Sequence, residues 1–339
     1  FVGAFHGEHP IFRIDAASRA VTRLLADGSA RQIDVDGKAG RVVYVHSGPE
    51  SPSDIFSSDL ALKNPRKLSG HNDSWLGTRE TGKFERISTK AADGLAVESF
   101  LIKPIGWQAG KTYPMLLVIH GGPNGMHGPH WVLDWEVFAS QGYAVLLTNP
   151  RGSSGYGEAY QRGVDQQWGG KAYEDLMASV DNVLAKNSWI DRNRLGVTGL
   201  SYGGFMTNWI VGHTTRFKAA VTLSSISNFA SVEGTRDGYY GHARDFGGDF
   251  FDHFDTYWKT SPLRYAKDVK TPTLILHGEA DQRVPQEQAE QWFRALKHFG
   301  VESELVLFPR ESHALKVEPK HTVEILNLTT DWFDRHLSK

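Results

Sequence analysis

The chain has 339 residues, 40% of them hydrophobic and 22% charged, with a formal net charge of −2 at pH 7. That charge, without any block of Lys and Arg, argues against nucleic acid or a membrane surface as a partner. The absence of cysteine excludes thiol catalysis, disulfides and thiolate metal sites, and apolar runs such as 115–119 are too short to span a bilayer.

The first part of the chain, residues 1–78, consists of short alternating segments typical of β-strands. Asp27–Gly28 and Asp36–Gly37 are turn signals of the hairpin type. This length corresponds to between one and two β-propeller blades of about 40–50 residues each. Because so small a unit does not bury its own apolar face, we expect it to pack on further blades, another chain or the rest of the protein. The chain begins at Phe1 rather than Met, so we expect it to be part of a longer protein.

From about Phe84 onward, strand patterns alternate with helical patterns. Strands are predicted at 84–88, 96–103, 115–120, 144–149, 194–199, 218–223, 273–278 and 304–308, and helices at 133–141, 172–186, 204–213, 286–298 and 321–337. Several of the strands are continuous apolar runs, as expected when helices cover both faces of a sheet. The pattern predicts an α/β domain with a mostly parallel, doubly wound sheet over residues 79–339.

A Gly-x-Ser-x-Gly motif at 199–203 places Ser201 directly after a predicted buried strand and directly before a predicted helix. In that setting a serine lies on a tight turn with its hydroxyl exposed at the carboxyl edge of the sheet. Gly199 and Gly203 leave room for the turn. We therefore predict that Ser201 is a nucleophile, although a match to this short motif alone also arises by chance.

A serine nucleophile needs a base, and in this topology an acid and then a histidine follow it in the chain. Asp281 and His313 each come just after a predicted strand, at the edge where sites of open α/β sheets lie. We assign His313 as the base and Asp281 as the group that orients it. The alternatives are Asp255 for the acid, and His321 or His336 for the base.

The stretch His-Gly-Gly-Pro at 120–123 also follows a strand. Gly121 and Gly122 allow a backbone N–H to face developing negative charge, and the N–H of Tyr202 is the second predicted donor. The Gly- and Ser-rich loop 149–160 lacks the lysine and spacing of a phosphate-binding loop. We interpret it as structural, with Arg151 held by acidic neighbours.

Taken together, the motifs HGGP (120–123), NPRGSSGYG (149–157), GLSYGG (199–204), DQRVP (281–285) and ESHAL (311–315) resemble the prolyl oligopeptidase family of serine peptidases. The acylaminoacyl-peptidase and dipeptidyl-peptidase-like branches are the most similar. The resemblance implies an α/β-hydrolase fold at 79–339, preceded by a β-propeller remnant at 1–78 that forms its last one to two blades. Because His120 stands where prolyl oligopeptidase itself has a tyrosine donor, the resemblance assigns the oxyanion hole to the N–H groups of Gly122 and Tyr202.

The resemblance also indicates substrate contacts. Arg283, two residues after the acid, is expected to contact a substrate carbonyl, unless it forms only a surface salt bridge. The aromatic-rich segment between Leu223 and Asp281 is expected to provide an apolar pocket, with Phe229, Tyr239 and Tyr240 as candidate walls. The alternative for these aromatic residues is a place in the core.

These features predict a serine peptidase that acts on short peptides or acyl-peptides without metal or cofactor and releases acyl-amino acids or dipeptides from the amino end. A carboxylesterase with the same triad, or a non-catalytic binding subunit, are the alternatives. We expect a homo-oligomer in the cytoplasm, with the missing propeller chain as a further partner. Neither nucleic acid nor a membrane is expected.

Overall fold

The computed structural model describes residues 1–25, 27–238 and 242–338. In these ranges the strands are β1 (Phe12–Ile14), β2 (Val21–Arg23), β3 (Ser29–Asp36), β4 (Arg41–Gly48), β5 (Ser51–Asp59), β6 (Arg66–Lys67), β7 (Phe84–Lys90), β8 (Ala96–Ile102), β9 (Tyr113–Ile119), β10 (Ala144–Asn149), β11 (Ile190–Leu200), β12 (Ala219–Leu223), β13 (Thr273–Gly278) and β14 (Ser303–Phe308). The α-helices are α1 (Asp73–Leu76), α2 (Leu133–Ser140), α3 (Glu158–Gln161), α4 (Lys171–Lys186), α5 (Tyr202–His213), α6 (Phe229–Thr235), α7 (Ala243–Phe246), α8 (Phe254–Thr260), α9 (Glu287–His298) and α10 (Pro319–Leu337). Two 3₁₀-helices span Arg162–Val164 and Pro262–Asp268.

The central sheet has eight strands in the order β14-β13-β12-β11-β9-β10-β8-β7. The six strands from β9 to β14 pair in parallel, and β8 and β7 extend one edge in antiparallel fashion. The predicted mostly parallel sheet is therefore confirmed. Parallel strands place all their carboxyl ends at one edge, so the loops after β9, β11, β13 and β14 converge there.

Two apolar layers hold the sheet between helices. On one face, Leu117 of β9 packs in the same core cluster as residues of α4, α5 and α9, including Phe205 and Trp292. On the other face, Leu116 packs with residues of α2 and α10, including Trp332. Each such large side chain contributes about 1.5–3 kcal/mol by leaving water. Successive side chains of β9 thus point to opposite faces of the sheet, one covered by the α4/α5/α9 layer and the other by the α2/α10 layer.

The N-terminal strands lie outside the central sheet. Strands β3 to β6 form a four-stranded antiparallel sheet, and β1 pairs with β2. Their small core contains Ile11, Val42 and Tyr44. The backbone N–H of Trp131 donates to the carbonyl of Gly48 at 2.8 Å, which ties this region to the segment before α2. Among the described residues, no helix combines the length and hydrophobicity needed to cross a membrane.

The segment between β12 and β13 is more helical than its sequence pattern predicted. It contains α6, α7, α8 and the second 3₁₀-helix, each only four to seven residues long. Periodicity is hard to detect in so few residues. The second 3₁₀-helix packs beside α5, and Phe229 of α6 contacts Phe205 of α5.

Candidate active site

Ser201 occupies the turn between β11 and α5. Its backbone has φ 62° and ψ −118°, a conformation that side-chain-bearing residues rarely adopt. The Ser201 N–H donates to the carbonyl of Leu223 at 3.0 Å, and its carbonyl accepts from the N–H of Phe205 at 2.8 Å. Strain of this kind persists only where surrounding structure enforces it, and it is concentrated at functional sites.

The two glycines that flank Ser201 are required by close backbone contacts. A Cβ on Gly199 would lie 2.5 Å from the carbonyl carbon of Gly203, and a Cβ on Gly203 would lie 2.1 Å from the oxygen of Ile119. Both distances are far below van der Waals contact. The Gly-x-Ser-x-Gly spacing therefore allows α5 to begin directly against β9 and β11.

Three side chains that are distant in sequence meet at Ser201. The Nε2 of His313 lies 2.9 Å from Ser201 Oγ, and its Nδ1 lies 2.8 Å from Oδ2 of Asp281. His313 is one-quarter exposed, while Asp281 is buried. This arrangement lets the imidazole accept the serine proton on one nitrogen while its other nitrogen donates to a fixed carboxylate.

Asp281 is held in place by its own backbone neighbours. Its Oδ1 accepts hydrogen bonds from the N–H groups of Arg283 and Val284, each at 2.9 Å. The imidazole of His277 lies 3.6 Å from Oδ2 and donates through Nε2 to the carbonyl of Val284 at 2.8 Å. Burial lowers the pKa of His277, which favours its neutral form. Sequence reasoning missed His277, although it precedes the Asp281 turn in the His-Gly end of β13.

The alternative acid and bases lie elsewhere. Asp255 is exposed on α8. His321 is hydrogen-bonded through Nδ1 to Glu311 at 2.9 Å, at the start of α10. His336 packs on Trp332 near the opposite end of α10. The structure therefore brings Asp281 and His313, rather than these alternatives, to Ser201.

Tyr202 and the loop of Gly121 and Gly122 lie beside the nucleophile. Tyr202 is the first residue of α5, where N–H groups have no partner within the helix. The loop of Gly121 and Gly122 approaches closely, since a Cβ on Gly121 would lie 3.5 Å from the Cβ of Ser201. Gly122 has φ +127°, and a Cβ there would lie 2.4 Å from the N of Asn124, so the loop requires glycine.

The His120 side chain turns away from the nucleophile. It is hydrogen-bonded to Oγ of Ser153 at 2.8 Å and to the carbonyl of Gly121 at 2.9 Å. Its burial lowers its pKa to about 4, so the ring is neutral near pH 7. The backbone assignment of the oxyanion donors is compatible with this orientation, because the imidazole is already engaged with the loop after β10.

The loop after β10 is held by a buried guanidinium. Arg151 forms ion pairs with Asp175 and Asp93 at 2.8 and 2.9 Å. Hydrogen bonding to Asp175 raises the pKa of Arg151, and hydrogen bonding to Arg151 lowers the pKa of Asp93. This geometry supports the structural interpretation of the loop, with Arg151 held by acidic neighbours.

The predicted substrate-contacting residues have different surroundings. Arg283 is 57% exposed and its Nε lies 2.8 Å from Oδ1 of Asp237, a partner that the sequence did not reveal. Phe229 is fully buried against Trp168, Phe205 and other aromatic rings, so in this conformation it is part of the core rather than an open wall. Tyr239 and Tyr240 lie outside the described residues.

Trp168 is the main aromatic residue near the nucleophile that sequence reasoning missed. Its ring centroid lies 5.0 Å from that of Tyr202 in an edge-to-face arrangement, and it also contacts the rings of His242 and Phe246. The only signal was its position before the glycine pair Gly169–Gly170. A Cβ on Gly169 would lie 2.5 Å from the indole of Trp209, so only glycine fits in the turn that follows Trp168.

Buried histidines near the oxyanion loop should make stability depend on pH. Burial lowers the pKa of His120 and His130 to about 4, and that of His127 well below its usual range. The unfolded chain then binds more protons than the folded chain between about pH 4 and 6.5. Stability is therefore fully present above about pH 6.5 and is lost as the pH falls.

We expect His130→Gln to reduce the slope of the free energy of unfolding against pH by up to about 1.4 kcal/mol per pH unit, because one proton-binding group is removed. The free energy of unfolding, measured by urea titration from about pH 7.5 to 4.5, provides the test. His71→Gln is the matched control, because His71 is exposed, and it should leave the slope unchanged. Equal slopes in the two variants would contradict the prediction.

The sequence is similar to a known protein family and to individual relatives. Residues 130–339 match the model of the prolyl oligopeptidase family. The chain is 46% identical over 292 residues to the "uncharacterized peptidase YuxL" of Bacillus subtilis, covering 85% of this chain and 44% of that protein. It is 31% identical over 312 residues to dipeptidyl-peptidase 5 of Schizosaccharomyces pombe, covering 91% of this chain and 45% of that protein.

The solved structures extend the likeness to the whole chain. The acylaminoacyl peptidase of Pyrococcus horikoshii superposes with a TM-score of 0.93 at 28% identity, covering all of this chain and 54% of that one. The chain thus spans about half the length of the relatives that it matches.

Proposed function

The chain belongs to the prolyl oligopeptidase family, whose peptidase domain has an α/β-hydrolase fold, and from this we propose that it hydrolyses short peptides through an acyl-enzyme on Ser201. The products would be acyl-amino acids or dipeptides from the amino end. The proposal depends on one observation: His313 lies 2.9 Å from Ser201 Oγ through Nε2 and 2.8 Å from Asp281 Oδ2 through Nδ1.

Acylation begins when Ser201 Oγ attacks the scissile carbonyl carbon and its proton passes to Nε2 of His313. Asp281 stabilises the resulting imidazolium through Nδ1. The carbonyl oxygen becomes an oxyanion, which the N–H groups of Gly122 and Tyr202 stabilise. One such donor typically lowers the barrier by about 3–4 kcal/mol.

The tetrahedral intermediate collapses when the C–N bond breaks and His313 gives its proton to the departing amine. A water molecule then attacks the ester carbonyl of the acyl-enzyme, and His313 takes a proton from it. The second tetrahedral intermediate releases the acid product and returns the proton to Ser201 Oγ. Each step balances with water as the sole co-reactant.

Action near the amino end is supported by the names of the relatives, which include dipeptidyl-peptidase 5 and acylaminoacyl peptidase. Arg283 lies two residues after Asp281, and its guanidinium suits a carbonyl or carboxylate oxygen. We propose that the guanidinium of Arg283 contacts a substrate carbonyl while its Nε remains paired with Asp237.

A panel of three substrates tests the proposal. We expect measurable kcat/KM on an acyl-aminoacyl anilide or on a dipeptidyl anilide with a free amino terminus, and loss of that activity in Ser201→Ala. Hydrolysis of a short acyl ester with neither anilide cleaved would indicate a carboxylesterase instead. No turnover, together with no labelling of Ser201 by a fluorophosphonate, would indicate a binding subunit.

We further propose that the β3–β6 sheet is a blade of the β-propeller predicted for residues 1–78. Its four antiparallel strands support this, as does a groove of about 350 Å³ beside it, lined by apolar residues such as Leu24, Val35 and Leu60. Further blades on another chain, or another copy of this chain, would cover that groove. Native mass spectrometry tests this, and a stable lone monomer would count against it.

A further inference from the structure

A cavity of about 270 Å³ lies between the central sheet and the helices of the α2/α10 layer. Its floor is Val118 of β9, and its walls include Trp135 of α2 and Leu326 of α10. None of these residues takes part in the proposed chemistry. The volume is just below the range of about 300–1,000 Å³ that is typical of sites for whole small molecules, so it suits a single side chain.

The cavity borders the oxyanion loop and the residue that precedes the nucleophile. Its lining includes Leu200, the residue before Ser201, and Gly121, the residue before the proposed oxyanion donor Gly122. Leu200 packs against the α2/α10 layer, whereas Tyr202 packs in the α4/α5/α9 layer. Ser201 therefore lies between the two layers, with this cavity on one side and the aromatic cluster of Trp168 on the other.

The position of His313 indicates which part of a substrate would enter the cavity. The departing amine must lie at Nε2 of His313, which protonates it. The loop that carries His313 leads directly into α10, and α10 supplies Leu326 to the cavity. The aromatic-rich segment after β12, from which the sequence predicts an apolar substrate pocket, packs against the opposite layer, and we assign it to the acyl part of the substrate. The amine side of the substrate therefore faces the α2/α10 layer.

We propose that this cavity, here named the amine-side cavity, binds an apolar side chain on the first residue of the departing peptide. The proposal rests on the proposed peptidase function. The lining is mostly apolar, and its two imidazoles, of His120 and His127, are neutral because burial lowers their pKa. Burial raises the pKa of the Asp134 carboxyl group in the lining, which favours its uncharged form. A leucine or phenylalanine side chain fits this chemistry.

Acyl transfer measures this preference directly. An acyl-aminoacyl p-nitrophenyl ester forms the acyl-enzyme and releases p-nitrophenol, and an added amino-acid amide then competes with water for the acyl group. Attack by the α-amino nitrogen of the amino-acid amide, with His313 taking its proton, reverses the leaving-group step, so the acceptor's side chain must occupy the amine-side cavity. We expect leucinamide to be favoured over glycinamide by about 10-fold or more, from the burial of one such side chain.

Two variants of α10 separate the cavity from general effects on the helix. Leu326→Phe narrows the cavity and should reduce the leucinamide preference to within about twofold of glycinamide. Val323→Phe is the matched control, because Val323 is 58% exposed on the same helix, and it should retain the wild-type ratio. Leu326→Ala enlarges the cavity and should shift preference towards phenylalaninamide, which covers the case in which Leu326→Phe does not fold.

The outcomes distinguish the two proposals. Release of p-nitrophenol with equal partitioning to leucinamide and glycinamide would overturn the cavity's role while leaving the peptidase function intact. The same holds if Val323→Phe changes the ratio as much as Leu326→Phe does. A p-nitrophenol rate no higher than that of Ser201→Ala would overturn the proposed function, and the cavity's role with it.

Discussion

Replacing Ser201 with alanine should lower kcat by about 10⁶-fold, the loss expected when the nucleophile of a coupled triad is removed. The hydroxyl lies 2.9 Å from Nε2 of His313, and no acyl-enzyme forms without it. The residual rate would come from substrate binding and the oxyanion donors alone. The measurement is steady-state hydrolysis of the anilide substrate, together with fluorophosphonate labelling.

The matched control is Ser140→Ala. Ser140 is exposed at the end of α2, where its hydroxyl donates to the carbonyl of Val137, and its replacement should leave kcat and labelling unchanged. Ser201→Ala should retain the far-UV circular dichroism of the native chain, because alanine is smaller than serine. Hydrolysis retained at more than about one per cent in folded Ser201→Ala would remove Ser201 from the mechanism.

Replacing Asp281 with asparagine should lower kcat by about 10⁴-fold with little change in KM. The carboxylate accepts from two backbone N–H groups through Oδ1 and from His313 Nδ1 through Oδ2. An asparagine keeps the shape of the side chain, but its amide nitrogen can face Nδ1 and favour the wrong tautomer of the imidazole. It also removes the charge that stabilises the imidazolium.

Asp255→Asn provides the control for this change. Asp255 follows Ser201 in the chain as Asp281 does, but it is exposed on α8, and its replacement should leave kcat within about twofold. A kcat for Asp281→Asn that equals the wild-type value would show that Asp281 does not orient the base. A larger effect of Asp255→Asn than of Asp281→Asn would reverse the assignment of the acid.

Much of the fold could be predicted because its signals are local. The apolar runs that form β10 and β13 occupy the predicted residues 144–149 and 273–278, and the other predicted strands of the central sheet, apart from β11, differ by one or two residues at their ends. The largest extension is β11, which begins at Ile190 rather than at 194. Its polar first residues, such as Asp191 and Arg192, carry no strand pattern, and they become part of the strand through pairing of Ile190 with Tyr113.

The meeting of Ser201, Asp281 and His313 could also be predicted from order and position. Each follows a strand whose carboxyl end reaches the same edge of the sheet. The surroundings of the candidate substrate residues could not. Nothing in the residues near Arg283 indicates that Asp237 would pair with it, and aromatic composition alone does not separate a pocket wall from core at Phe229.

The sequence by itself therefore determined the strand–turn–helix at Ser201 and the order of acid and base, because these depend on short patterns and chain direction. Only the tertiary structure decided that Phe229 is buried, that Arg283 is paired and that a cavity lies beside Leu200. The reason is that burial, ion pairing and empty volume depend on residues far apart in the chain. Helices α2 and α10, for example, are nearly 180 residues apart in the chain, yet their side chains share one cavity wall.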